Sequence, residues 1–206
     1  MGGDIVIPFP DKKYNIIYAD PPWPYSSKEL YGDKINGHKN GKRKRFADIK
    51  RIYKTMSIKD ICNLSVKDII EKDCACFLWV TDSHLKEGMR VLESWGFKYK
   101  TIAFNWIKYY STSNMVFNFA PWTLKSWEIC LLGIKGKMSK YKVSNNIKGI
   151  LQETRTQHSK KPTEARRRIV ELFGDLPRIE LFARPPKDRL FEDDSYKGWD
   201  VWGNEV

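Results

Sequence analysis

Asp20-Pro21-Pro22-Trp23 closes an apolar run from Tyr14 to Ala19. A carboxylate, two imide carbonyls and an indole at the mouth of a strand can receive a planar ring that bears an exocyclic amine. Such an amine is a poor nucleophile, because its lone pair is delocalised into the ring. Acceptors that draw on its N–H protons favour a pyramidal nitrogen and free the lone pair to attack a methyl donor. Trp23 supplies a face on which the ring can stack beside that donor. The chemistry implied is methylation of a base at its amino group. The same four residues also read as a strand-ending loop, since proline gives a ladder no donor and restricts the residue before it.

The elements that would position this tetrapeptide alternate between strand and helix. Asn15–Ala19, Cys74–Val80, Thr101–Lys108, Glu128–Ile134 and Arg178–Ala183 are mostly continuous apolar runs of the kind found in a sheet covered on both faces. Between them, Leu85, Met89 and Leu92 form an i, i+4, i+7 stripe after the capping pair Asp82-Ser83, with Gly96 as a stop. Pro162 opens a second helix with Ala165, Ile169, Leu172 and Phe173 inward and Gly174 at its end. The rhythm predicts an open, largely parallel α/β sheet, which binds ligands at the carboxyl ends of its strands. Asp20 and Arg184 both follow strands and belong on that edge. No Gly-x-Gly-x-x-Gly is present, which argues against a nicotinamide or flavin enzyme.

Five further blocks accompany the Asp-Pro-Pro-Trp motif: Tyr53-Lys54-Thr55-Met56-Ser57, Phe77-Leu78-Trp79-Val80-Thr81, His158-Ser159-Lys160-Lys161-Pro162, Glu180-Leu181-Phe182-Ala183-Arg184 and Gly198-Trp199-Asp200-Val201-Trp202-Gly203-Asn204-Glu205. In this order they resemble the MT-A70 family, relatives of the catalytic subunit of mRNA N6-adenosine methyltransferase. The chain is especially similar to short prokaryotic and phage-borne members, from about Asp4 to Val206. The resemblance implies a Rossmann-like, S-adenosylmethionine-dependent methyltransferase fold in permuted order, with the catalytic motif near the N-terminus and a mostly parallel central sheet. It assigns Asp20, Pro21, Pro22 and Trp23 to catalysis. Asp20 would hold the ammonium of the cofactor's methionine moiety and Lys161 its carboxylate. Arg184, Asn204 and Glu205 would hold the ribose side, and Asp4 and Ile5 the adenine. Tyr53, Trp106 and Glu128 would line the pocket for the target adenine.

Each of these residues has a plainer role open to it. Asp4 could be a solvated terminal residue, Lys161 a solvated lysine in a helix-opening turn, Arg184 a rim residue, Trp106 core, and Glu128 an edge residue beside Trp127. The chain also departs from larger members, carrying Pro186 and Lys187 where they have His and Asn, and Trp127 where a relative has Lys.

Charge points to the partner. With 37 Lys and Arg against 25 Asp and Glu, the net charge is +12, which favours a polyanion. Residues 26–54 hold ten basic and three acidic residues, including the run Lys42-Arg43-Lys44-Arg45. Residues 135–168 hold eleven basic and two acidic. Both stretches flank the predicted site, where phosphate contacts would position a nucleotide; the bland alternative is a solubilising surface.

At 206 residues the expectation is one methyltransferase domain spanning 1–206, with a basic substrate-facing insertion around 26–54. No apolar run reaches the roughly 20 residues that span a bilayer, and no signal pattern opens the chain, so a cytoplasmic protein of a prokaryote or phage-infected host is expected. Cys62, Cys74, Cys76 and Cys130 lack Cys-x-x-Cys or His spacing, so no metal is expected; Cys74 and Cys76 share one strand face as packing residues. The expected function is methylation of adenine N6 in nucleic acid, DNA before RNA, by a monomer or homodimer. The alternatives are an RNA N6-adenosine methyltransferase, or a non-catalytic nucleic-acid-binding paralogue that supports an active partner.

Overall fold

A computed structural model of the chain describes residues 7–24, 55–110, 112, 114–117, 122–154, 160–183 and 196–203. Among these residues seven strands form one sheet: β1 Tyr14–Ala19, β2 Ile70–Val80, β3 Lys98–Tyr109, β4 Trp127–Lys135, β5 Ile150–Thr154, β6 Arg178–Leu181 and β7 Asp200–Trp202. Their spatial order is β5-β3-β4-β2-β1-β6-β7. Only β4 runs against its neighbours; the other pairings, β1 with β2 and β6, β3 with β5, and β6 with β7, are parallel. The α/β fold is thus Rossmann-like and mostly parallel, as the alternating runs predict.

Helices cover both faces. On one face α1 (Ile58–Asn63) and α2 (Leu85–Ser94) pack Ile61, Val91 and Leu92 onto Ile17, Ala19, Cys74, Cys76, Leu78 and Val80. On the other, α3 (Thr163–Phe173) seats Ala165, Ile169 and Phe173 against Ile16, Tyr18, Phe77 and Trp79. Ile16–Ala19 of β1 and Cys74–Val80 of β2 are therefore buried on both sides, the reason for their unbroken apolar sequences. Cys74 and Cys76 are buried in one apolar cluster, in keeping with a packing role.

Several boundaries differ from the sequence reading. Asp82 and Ser83 do not cap α2; they lie in a 3-10 turn, Asp82–His84, and His84 occupies the cap position. The capping pattern misleads because Ser83 and Thr81 spend their hydroxyls on the His84 ring. Helix α2 buries Gly88, Val91 and Leu92, while Leu85 and Met89 are only partly covered. Strand β6 stops at Leu181 because Phe182 turns into the left-handed region at φ 61°. Strands β5 and β7 and helix α1 lack an apolar run: β5 buries only Leu151, β7 has three residues, and α1 buries only Ile61.

At Gly88, α2 packs closely against the sheet. A Cβ there would lie 2.4 Å from Val80 Cγ1 and 3.2 Å from Leu131 Cδ1. Gly88→Ala should therefore destabilise the protein: overpacking costs about 1–3 kcal/mol, more than the roughly 1 kcal/mol that alanine gains in helix propensity. Thermal denaturation checks this, and a higher Tm in the variant would contradict the packing.

Candidate active site

Parallel β1, β2 and β6 end on one edge of the sheet, and antiparallel β4 begins there. Asp20 follows β1, Thr81 follows β2, Phe182 follows β6, and Glu128 stands at the start of β4. Lys161 reaches the same edge from the turn that opens α3.

These residues meet as a row of alternating charge. Lys161 Nζ donates to Asp20 Oδ2 at 2.6 Å and lies 3.2 Å from Glu128 Oε2. Glu128 also takes an ion pair from Lys108 of β3. The Lys161 side chain is only 9% exposed, and Asp20 and Glu128 are 19% exposed, so the charges act with little screening by water. Burial works against the Lys161 ammonium, yet Asp20 and Glu128 raise its pKa above the ordinary lysine value. Burial would likewise raise Glu128, but Lys161 and Lys108 outweigh it and hold the carboxyl below its usual range. Lys161 and Glu128 are therefore ionised at neutral pH. Lys161 is not the solvated lysine of its plainer reading, and Glu128 is an anchor for two lysines.

Both prolines are fixed through their carbonyls. The Trp23 amide donates to Pro21 O at 2.8 Å, and the Met56 amide to Pro22 O at 3.0 Å. Each carbonyl keeps a second lone pair with which to accept from a ligand. The Trp23 side chain is buried, its Nε1 donating to Trp79 O at 3.0 Å and its ring stacked on His84 with centroids 5.4 Å apart. The indole is thus chiefly a wall that holds the Pro-Pro turn, and any stacking on a ligand would use a limited part of it.

Trp106 is core-like, 4% exposed, with Nε1 donating to Glu153 O at 3.0 Å and its ring edge-on to Trp79 at 6.4 Å. Lys108 lies over Trp106 at 4.8 Å and Lys161 over Trp79 at 5.8 Å, so the two indoles floor the charge row and favour its cations. Sequence reading missed Lys108. A lysine two residues after a core tryptophan in a strand carries no distinctive signal.

Also missed is the buried pair Arg166–Glu180. Arg166 Nε and Nη2 donate to the two oxygens of Glu180 at 2.5 and 2.9 Å, and the guanidinium lies over Tyr196 at 4.0 Å and Tyr18 at 5.7 Å. Glu180 adjoins the site closely enough to interact electrostatically with Asp20 and Lys161. Its signal was the charged residue inside the Glu180-Leu181-Phe182 block, where a strand buried on both sides would otherwise be apolar.

Asp4, Ile5, Tyr53, Arg184, Asn204, Glu205 and the run Lys42 to Arg45 lie outside the described residues. Of the assigned residues, Asp20, Lys161 and Glu128 are in direct contact, with Trp106 beneath the row, while Pro21, Pro22 and Trp23 form the turn that leads out of β1.

A type II methyltransferase of a Mycoplasma species, M.MunI, is 38% identical over 207 residues, covering 98% of this chain and 82% of that protein. A putative N(6)-adenosine-methyltransferase of Medicago truncatula, MT-A70-like, is 27% identical over 198 residues, which are 94% of this chain but 26% of that protein. The MT-A70 family model matches residues 14–205, from the first strand of the sheet to beyond the last, so the chain belongs to the MT-A70 family of methyltransferases.

Proposed function

We propose that the chain transfers a methyl group from S-adenosylmethionine to the N6 amino group of adenine in DNA. The observation that carries this reading is the contact between Asp20 and Lys161, 2.6 Å apart and almost enclosed where β1 ends. A carboxylate beside an ammonium is the charge complement of an amino-acid zwitterion, so the residues present fit the methionine end of the cofactor. Asp20 would accept from the cofactor's ammonium, and Lys161, steadied by Glu128, would pair with its carboxylate. S-adenosylmethionine, when bound, supplies a methyl group activated by a sulfonium centre.

The protein's share is orientation and electrostatics. Asp20 and a free lone pair of the Pro21 or Pro22 carbonyl accept from the exocyclic N–H groups, which localises the nitrogen lone pair for attack. The methylated ammonium is acidic enough to release its proton to water, so Asp20 need not keep it. Glu128, itself paired with Lys108, holds Lys161 in place without taking part in bond making. Extrusion of the target base costs a few kcal/mol, which stacking and edge hydrogen bonds offset.

A net charge of +12 supports a nucleic-acid substrate. DNA is preferred because, of the two relatives, the Mycoplasma type II methyltransferase is the more similar and spans most of its length. RNA is the second reading, favoured by the name of the Medicago relative. Among the described residues no helix is long and apolar enough to cross a membrane. The test is transfer from labelled S-adenosylmethionine to matched DNA and RNA, followed by nucleoside analysis. N6-methyladenine in DNA is the expected product. Label in cytosine, or in neither polymer, would refute the proposal.

A further inference from the structure

Ser126 is 4% exposed, and its hydroxyl has no hydrogen-bond partner among the described residues. An unpaired buried hydroxyl is costly, so one that persists invites a ligand. Its place in the sheet says which. Trp106 pairs with Glu128 and Ile107 with Trp127, and the Lys108 amide donates to Ser126 O at 2.7 Å, which sets Ser126 opposite Lys108. Side chains alternate along a strand, so Ser126 shares the face of Glu128. Because β4 begins at the edge where β1 ends, Ser126 lies one pleat nearer the mouth than Glu128, about 7 Å along the strand. The charged neighbours are matched to one another: Lys108 with Glu128, and Lys161 with Glu128 and Asp20. That row leaves the hydroxyl unaccounted for.

We propose that Ser126 Oγ reads the edge of the target base, donating its proton to the ring nitrogen next to the amino-bearing carbon while Asp20 accepts from the amine. The inference deepens the base-methylation reading and rests on it. An amine donor beside a ring acceptor is the Watson–Crick edge of adenine, the edge that an extruded base offers to its pocket. A base with C–H at that ring position would leave the hydroxyl unpaired again, and a site built around a hydrogen bond discriminates strongly against a partner that lacks it.

The experiment uses DNA oligonucleotides of the sequence methylated in the assay above, with adenine, 1-deazaadenine or 7-deazaadenine at the target position. Wild type, Ser126→Ala and Ser126→Thr are compared by kcat/KM for labelled methyl transfer and by thermal melting without substrate. Deaza substitution also alters the reactivity of the amine, so the decisive quantity is how the adenine to 1-deazaadenine ratio changes between proteins. The ratio should fall about tenfold in Ser126→Ala, as expected for loss of one hydrogen bond, and be largely kept in Ser126→Thr. The adenine to 7-deazaadenine ratio should not move. The Tm of Ser126→Ala should hold or rise, because an unpaired hydroxyl is removed. An unchanged 1-deazaadenine ratio, or a marked fall in Tm, overturns the inference and leaves base methylation standing. Failure of the wild type to methylate adenine in any nucleic acid removes the underlying reading and the inference with it.

Discussion

Asp20→Ala should lower methyl transfer by about 10²–10³-fold, the usual loss when one preorganised group that stabilises the transition state is removed. Asp20 is the carboxylate of the Asp-Pro-Pro-Trp turn, and its Oδ2 holds Lys161 at 2.6 Å. Its removal does not strand the lysine, because Glu128 Oε2 remains 3.2 Å from Lys161 Nζ. The fold should therefore survive, with Tm within about 5 °C of wild type. Asp20→Asn keeps an acceptor oxygen but not the charge, and should fall between the two. Initial rates with labelled cofactor, together with a melting curve, separate lost chemistry from lost structure. Near-wild-type transfer by a folded Asp20→Ala protein would mean that the reaction centre lies elsewhere.

The largest effect on stability is expected at Arg166. Arg166→Met removes the partner of a carboxylate that is almost wholly buried, and breaking such a pair costs about 3–5 kcal/mol. For a domain of this size that corresponds to a Tm lower by about 6–20 °C. Burial raises the Glu180 pKa above the ordinary 4.5, with Arg166 opposing. Without Arg166 the folded protein holds a proton on Glu180 that the unfolded chain releases above about 4.5. The native state then binds more protons, so stability falls as pH rises through that window. The deficit of Arg166→Met should accordingly be smaller near pH 5 than near pH 8. Replacing both partners, Arg166→Met with Glu180→Leu, should recover much of the loss, because no uncompensated charge remains. Equal Tm deficits at both pH values, or no recovery in the double variant, would show that Arg166 acts through its contacts with Tyr18 and Tyr196 instead.

The legible and illegible parts of the molecule divide along one physical line. Ile16 to Ala19 and Cys74 to Val80 announce themselves because strands covered on both faces must be apolar throughout. Strand β5, at the sheet edge with Leu151 alone buried, and three-residue β7 have no such obligation, and their sequences look like loops. Asp82 and Ser83 mimic a helix cap because capping residues serve equally well in a turn, and the His84 ring decided between the two. Trp23 was readable as important but not as buried, since an indole's hydrogen bond to a backbone carbonyl 56 residues away leaves no trace in local sequence.

By itself the sequence determined the fold class, the edge of the sheet on which chemistry is expected and Asp20 as a candidate, because residue type and strand-ending position are local properties; Lys161 and Glu128 became candidates through the family resemblance of the chain. Only the tertiary structure decided that these three form one nearly enclosed row with Lys108, that Arg166 neutralises Glu180 beside it, and that Ser126 lies unpaired at its mouth. Charge pairing and hydrogen bonding depend on distances of a few ångströms between residues up to 141 positions apart. Those distances are set by strand order and register, which no short stretch of the chain encodes.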